Sequence, residues 1–302
     1  MKLSVIICTY NPRRDYLARV IDSLKKQTLS FGEWELIVVD NASPEPLAGW
    51  LDLSWHRNAR SVVEPALGLT RARIKGAEVS GCEVICYLDD DTVVQDDYLE
   101  QALAIGDQWP ILGAWGGQLL PEYEPGFSPS PEAARLWDLS LDRDVWSSLD
   151  DRSACPVGGG MIVRRRVLAH YQLALKNDPL RRDLDRKGDS LVSDGDIDLA
   201  FCACDLGLGI GRFRSLVITH LIPKSRCTEA YLDRLAQSIG YSSTLLSYLR
   251  GKPTHLTFPR KVLSYWHLIT RGARWQFYWN QGVAKALEKM DGISREKKFS
   301  DG

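Results

Sequence analysis

Residues 84–91 read Val-Ile-Cys-Tyr-Leu-Asp-Asp-Asp, five apolar residues followed at once by three aspartates. An unbroken apolar run of this length suits a strand buried on both faces of a parallel sheet. Two similar runs precede it, Leu3–Cys8 (LSVIIC) and Leu36–Val39 (LIVV). Between those two, Asn11-Pro12 reads as an N-cap with proline in the first helical turn. Leu17, Val20, Ile21 and Leu24 then recur at helical spacing and predict a one-sided apolar stripe. Residues 69–79 and Tyr98–Ile105 are further helix candidates. Alternation of strand and helix predicts an α/β fold, a doubly wound and mostly parallel sheet flanked by helices.

From Ile111 to Val192 the pattern is less regular. Ala114–Leu119 reads as a strand, and Pro121, Pro125, Pro129 and Pro131 as marks of a loop. Cys155–Val163 (CPVGGGMIV) reads as a glycine-opened strand running into Arg164-Arg165-Arg166. Residues 196–206 read as a helix with Gly207 as its C-cap. Leu216–Ile218 is a last strand leading into His220, and after Tyr231 the chain turns helical, aromatic and basic. The expected organisation is a domain over 1–230, with halves 1–110 and 111–230, and a helical extension over 231–302.

Composition narrows the class. Of 302 residues 44% are apolar and 25% charged, with Lys+Arg 38 against Asp+Glu 39, a formal net charge of −1. That balance fits a globular chain and argues against nucleic acid as a partner. No run approaches the ~20 apolar residues of a membrane span. The first eight residues are too short an apolar stretch for a signal peptide, so a cytoplasmic location is expected. Seven cysteines without a C-x-x-C spacing predict reduced, buried thiols. Cys202-x-Cys204 falls in a helical stretch, where residues two apart point away from each other.

Three strands end on polar groups: the first on Thr9, the second on Asp40-Asn41, the third on Asp89-Asp90-Asp91. In open parallel sheets the ligand crevice lies beyond the carboxyl ends of the strands, so one rim collects all three. Adjacent carboxylates at a buried strand end repel unless a cation compensates, and Mg²⁺ or Mn²⁺ shared with substrate phosphates is the usual solution. An exposed acidic turn is the competing view. Asp89 and Asp91 share a side if strand geometry persists through them. Gly158-Gly159-Gly160 reads either as a place where backbone approaches a ligand or as a tight bend. His56, His170, His255 and His267 have no motif context and read as structural or surface groups. His220, at a strand end, reads as a ligand or as a structural histidine. Lys224 and Arg226 follow it as a diphosphate clamp or as a solvated loop.

The ordered blocks SVIICTYNP, ELIVVDNAS, GLTRARIKGA, YLDDDT, VGGGMIVRRRVL, SDGDIDL and VITH resemble the family 2 glycosyltransferases, inverting enzymes of the GT-A fold, from Leu3 to about Arg226. That resemblance implies transfer of a sugar from a nucleotide-sugar, chiefly a UDP-sugar, to an acceptor hydroxyl, in polysaccharide or glycolipid biosynthesis. It implies that Thr9 and Asp40 hold the base and that Arg73 and Asp90 lie along the nucleotide. Asp89 and Asp91 match the ends of the D-x-D motif that meets ribose and a Mn²⁺ or Mg²⁺ ion, with His220 as a further ligand. Asp196 matches the catalytic base. Ile74 replaces the asparagine usual after Arg73, and Gly195 replaces the glutamate usual before Asp196, which leaves Asp194 as a second candidate base. A sugar-nucleotide nucleotidyltransferase and a non-catalytic nucleotide-binding relative are the rival readings. The first lacks its glycine-rich basic loop, because Thr9-Tyr10-Asn11-Pro12 stands there.

Residues 250–290 hold eight Lys/Arg against one acid, Glu288, interleaved with Tyr265, Trp266, Trp275, Phe277, Tyr278 and Trp279. Cations among aromatics suit a peripheral contact with the inner face of a membrane, near a lipid-linked acceptor. The other reading is an appendage that packs its aromatics on the catalytic domain or on a second copy in a homo-oligomer.

Overall fold

The computed structural model describes residues 1–252 and 274–300, with side chains to residue 293. The chain divides into two compact units, one of Met1–Asn177 with Asp196–Lys224, the other of Asp178–Gly195 with Ser225–Gly302.

The first unit is built on one sheet. Its strands are β1 (Leu3–Thr9), β2 (Trp34–Asp40), β3 (Ala59–Val63), β4 (Val84–Asp89), β5 (Thr92–Val94), β6 (Leu112–Tyr123), β7 (Val145–Ser147), β8 (Met161–Arg164) and β9 (Gly209–Ile222). They lie in the order β3-β2-β1-β4-β8-β6-β9-β5, with β7 also paired to β9. The four strands β3, β2, β1 and β4 are parallel. Beyond them the sheet is mixed: β8 runs antiparallel to β4 and β6, and β9 runs parallel to β6 but antiparallel to β5 and β7. Every residue of β1 and β2 is buried, as strands covered on both faces require, whereas the edge strand β3 is exposed or half-buried throughout.

The flanking helices are α1 (Arg14–Lys25), α2 (Leu69–Val79), α3 (Tyr98–Gln108), α4 (Pro131–Trp137), α5 (Arg165–Asn177) and α6 (Gly195–Asp205). Leu17, Val20, Ile21 and Leu24 of α1 are the buried stripe that their spacing predicts. The helix starts two residues late, however. Arg13 is its N-cap and Asn11 takes a positive φ of 50°, so Asn11-Pro12 form the turn out of β1. A second departure is Pro121, which lies inside β6 and not in a loop. The β8 pairing of β6 reaches only Trp115, so Pro121 sits where that side of the strand is no longer held by β8.

The second unit pairs α7 (Glu229–Leu249) with α8 (Arg274–Ser300). Gly240 faces the backbone of Trp279, and Gly282 that of Gln237, so the two helices approach at backbone distance. Arg274 is paired with Glu229 and Asp233, and Lys289 with Asp183. Trp275, Phe277, Tyr278 and Trp279 are half-buried. Part of the basic and aromatic content of 250–290 is thus engaged within this unit. His255, Arg260, Lys261, Tyr265, Trp266, His267 and Arg271 lie outside the described residues. Among the described residues no helix is long and apolar enough to cross a membrane.

Candidate active site

Strand register brings the predicted rim into being. Thr9 stands opposite Asp40 and Cys8 opposite Asp89, so β1, β2 and β4 end level with one another. Neighbouring strands are about 4.8 Å apart, which gathers their terminal polar groups along one edge. Thr9 donates its hydroxyl to Asp90 Oδ2.

The strand geometry does not persist through the aspartates. β4 ends at Asp89, and the chain turns through Asp90 and Asp91 into β5. Thr92 closes this turn: its hydroxyl donates to the Asp89 carbonyl at 2.9 Å and accepts from the Asp89 N–H at 3.0 Å. β5 then pairs with β9, Thr92 opposite His220, and the Leu221 N–H donates to the Asp91 carbonyl at 2.9 Å. The turn therefore delivers Asp91 to the histidine. His220 Nε2 lies 3.6 Å from Asp91 Oδ2, with the two side chains 12% and 8% exposed. Trp137, from the end of α4, stands edge-on to the imidazole with 5.6 Å between ring centroids. A carboxylate and an imidazole held together in a dry site are donors that suit Mn²⁺ or Mg²⁺ alongside phosphate oxygens. Asp89 is not gathered with them into a set of three donors within 4.8 Å.

Asp89 points instead at the glycine turn. Its Oδ2 lies 2.7 Å from where a Cβ on Gly159 would stand. A Cβ on Gly158 would meet Arg73 Nη2 at 2.6 Å and Asp196 Oδ2 at 2.7 Å. The absence of side chains at 158 and 159 therefore lets Arg73, Asp89 and Asp196 crowd one backbone segment. Gly160 completes the bend with φ of +141°, open to glycine alone, and Tyr98 donates its hydroxyl to the Gly160 carbonyl at 2.7 Å. The tight-bend reading of the triplet holds, and the glycines also make room for the side chains of Arg73, Asp89 and Asp196.

Asp196 lies in the first turn of α6, half-buried. Its Oδ2 accepts from the Gly158 N–H at 2.8 Å and its Oδ1 from its neighbour Ile197 N–H at 2.8 Å. A carboxylate at a helix N-terminus is stabilised by the macrodipole, and here it keeps an exposed face as well. Asp198 is fully buried, and Asp194 is 2% exposed and belongs to the second unit. The glycine at 195 has a local cause: within the second unit, any Cβ there would stand 2.6–2.7 Å from the side chain of Asp185.

Asp40 is buried and held differently from the others. Its two oxygens accept from the Ser43 N–H at 2.9 Å and the Leu47 N–H at 3.1 Å, fixing the turn after β2. Sequence reading passed over the neighbouring Asn41 as a positioning group. Its amide donates to the Glu64 and Ala66 carbonyls at 3.0 and 2.9 Å and accepts from the Gly68 N–H at 2.8 Å. It thereby shapes the loop into α2, the helix that carries Arg73. Arg73 is anchored too, its carbonyl accepting from the Tyr87 hydroxyl at 3.0 Å. The signal for Asn41 was its place directly after a strand-ending aspartate. Trp137 sat in the proline-marked region and gave no signal.

A sheet of this order with carboxylates around a glycine turn at its strand ends defines a GT-A type fold. Residues 4–172 match the model of glycosyl transferase family 2, more than half of the chain, and the protein belongs to that family. It is 27% identical over 140 residues to the glucosyl-dolichyl phosphate glucuronosyltransferase of Haloferax volcanii, over 43% of this chain and 42% of that protein's length. The chain thus spans less than half of that curated relative. Among solved structures it resembles GalNAc-T7 with UDP, GalNAc and Mn²⁺, with a TM-score of 0.53 at 16% identity over 84% of this chain and 52% of that one. It also resembles S. aureus TarS 1-349 in complex with UDP, with a TM-score of 0.50 at 16% identity over 96% of this chain and 92% of that one.

Proposed function

We propose that this protein transfers a sugar, with inversion, from a UDP-sugar to an acceptor hydroxyl. The observation that carries the reading is that the first unit holds two separate carboxylate stations, one in the turn after β4 and one on the glycine turn. Asp91 with His220 forms one, Asp196 on the Gly158 N–H the other. Displacing a sugar from a nucleoside diphosphate requires charge neutralisation on the departing diphosphate and proton removal from the attacking hydroxyl, at different places.

Asp91 and His220 would hold the Mn²⁺ or Mg²⁺ ion that neutralises the diphosphate, with Asp89 beside it toward the ribose. Thr9 and Asp90, tied by their hydrogen bond, and Asp40 line the edge where the base lies. Arg73 reaches the diphosphate side. Asp196 takes the acceptor proton as the new bond from acceptor oxygen to the anomeric carbon forms and the bond to diphosphate breaks. Its exposed face makes it the base in preference to buried Asp194. The acceptor class is a saccharide or a lipid-linked saccharide, in line with the dolichyl phosphate in the name of the Haloferax relative.

Asp196→Asn keeps the carboxylate's shape and its place as acceptor of the Gly158 N–H, and removes the base. Transfer should fall by 10³-fold or more, on the order of a general-base loss, while UDP binding by calorimetry stays within about twofold. Unchanged turnover in Asp196→Asn would refute the assignment.

A further inference from the structure

The C-terminal turn of α6 carries a second cluster of ligand-type groups. α5 and α6 lie together over β6 at Gly113, where a Cβ would stand 2.5 Å from Ala203 Cβ and 3.0 Å from Val167 Cγ2. This close seating brings His170 of α5 against Cys202 and Asp205 of α6. One ligand atom from each lies within 4.8 Å of the other two, the sole trio of His, Cys, Asp or Glu so gathered among the described residues. Cys202 and Asp205, three apart, share a face of their helix. His170 Nε2 is 3.7 Å from Asp205 Oδ2, each side chain 34% exposed, while Cys202 is fully buried beneath them.

Asp205 is the last residue of α6, where the macrodipole disfavours a negative group. A cation at that end answers both the dipole and the carboxylate. The donor set of imidazole nitrogen, thiolate sulfur and carboxylate oxygen is borderline-soft and suits Zn²⁺, not the Mg²⁺ or Mn²⁺ of an all-oxygen site. Three protein ligands leave one tetrahedral position to solvent. Zinc–ligand bonds of about 2.0–2.3 Å place donors roughly 3.3–3.8 Å apart; His170 and Asp205 already stand 3.7 Å apart, and from a spread of at most 4.8 Å they need close on Cys202 by no more than about 1–1.5 Å.

We propose that His170, Cys202 and Asp205 form a zinc-type metal site that staples α5 to the C-terminal turn of α6. On binding, the Cys202 thiol gives its proton to solvent and the Zn–S bond forms, with no change of oxidation state. Nine residues separate Asp205 from Asp196, about 14 Å along the helix, so the staple is distinct from the active-site carboxylates and fixes the far end of the helix that bears one of them.

The test uses the full chain, chelator-treated, titrated with Co²⁺ as a spectroscopic stand-in for zinc. A thiolate-to-cobalt charge-transfer band should rise to one equivalent, disappear on addition of Zn²⁺ and resist Mn²⁺. Cys202→Ser should abolish the band. His170→Ala and Asp205→Asn should each weaken Co²⁺ binding by about tenfold or more. The absence of a sulfur band at stoichiometric Co²⁺, or an undiminished band in Cys202→Ser, overturns the site. Should Cys202→Ser not fold, the half-exposed His170 and Asp205 variants decide, and unchanged affinity in both overturns it. No sugar donor takes part, so the result stands apart from the transferase reading.

Discussion

Glu35 and His56 show how differently a buried ionisable group is settled at the level of one residue. Glu35, on β2, has its side chain 2% exposed. Burial alone pushes its pKa up. The Gly81 N–H at 2.6 Å, the Ser4 hydroxyl at 2.7 Å and the Arg60 guanidinium at 2.9 Å outweigh that and hold it below its ordinary value of 4.5. A depressed carboxylate contributes stability that is fully present above its unfolded pKa and is lost as pH falls through its folded one. Glu35→Gln should therefore cost about 1–3 kcal/mol at neutral pH, with the gap to the parent protein closing below about pH 4, read from urea midpoints. His56 is the opposite case. It packs against Trp34, Phe31 and Trp55 with centroids 4.2, 5.2 and 5.3 Å away, its Nδ1 accepts from the Asn58 N–H at 3.1 Å, and its buried Nε2 has no partner among the described residues. Burial lowers its pKa below 6.5, so the folded state binds this proton less readily than the unfolded chain. Stability from this site is present above 6.5 and declines as pH falls below it. His56→Phe should lose less stability than the parent between about pH 7 and pH 5, and equal slopes would sink the argument. Neither role was visible in sequence. Both depend on which groups the fold brings around the side chain, and Ser4, Arg60 and Gly81 are far from Glu35 along the chain.

At the level of elements, the apolar runs carried three of the four strands of the parallel half of the sheet, and β3, an exposed or half-buried edge strand, has no such run. β1, β2 and β4 need no more than continuous aliphatic sequence to declare themselves, and the α1 stripe follows from spacing alone. What the runs do not carry is where the chain turns. The late start of α1, the positive φ of 61° at Ala42 and the strand placement of Pro121 leave no mark on the apolar pattern. The basic run Arg164–Arg166 illustrates the same limit, since on sequence it is no more than a run of cations after a strand. In the fold Arg165, opening α5, donates to the Ala77 carbonyl at 3.0 Å, the Ser80 carbonyl at 3.0 Å and the Cys82 carbonyl at 2.6 Å. It therefore satisfies the carbonyls left over where α2 ends. Arg164 likewise donates to the Leu112 and Gly106 carbonyls and lies 5.3 Å over the Trp115 ring. Arg165→Ala should destabilise by about 2–4 kcal/mol in chemical denaturation, since charged hydrogen bonds to half-buried carbonyls are lost together. Arg165→Lys should recover little of it, because an ammonium cannot span the same fork of acceptors. Full recovery with lysine would show that charge alone matters there.

For the whole molecule, the alignment of three strand ends on one rim was legible because each apolar run stops at polar residues, and the register sets those stops level. The grouping of side chains on that rim was not. Sequence placed Asp89, Asp91 and His220 in one metal set, whereas the turn at 90–91 pairs Asp91 with His220 and leaves Asp89 toward Gly159. That separation leads to a test at the level of global stability. A ligand that binds only the folded chain raises its stability by RT ln(1 + [L]/Kd), about 2.7 kcal/mol at a hundredfold excess over Kd. For a unit of roughly 150–250 residues each kcal/mol moves Tm by about 2–4 °C, so saturating UDP with Mn²⁺ should raise Tm by about 5–10 °C. Asp91→Asn should remove the Mn²⁺-dependent part of that rise and keep the smaller effect of UDP alone. Asp196→Asn, on the glycine turn and away from the Asp91–His220 pair, should keep both. If Asp196→Asn instead loses the Mn²⁺ increment while Asp91→Asn retains it, the two carboxylate stations have been assigned the wrong way round.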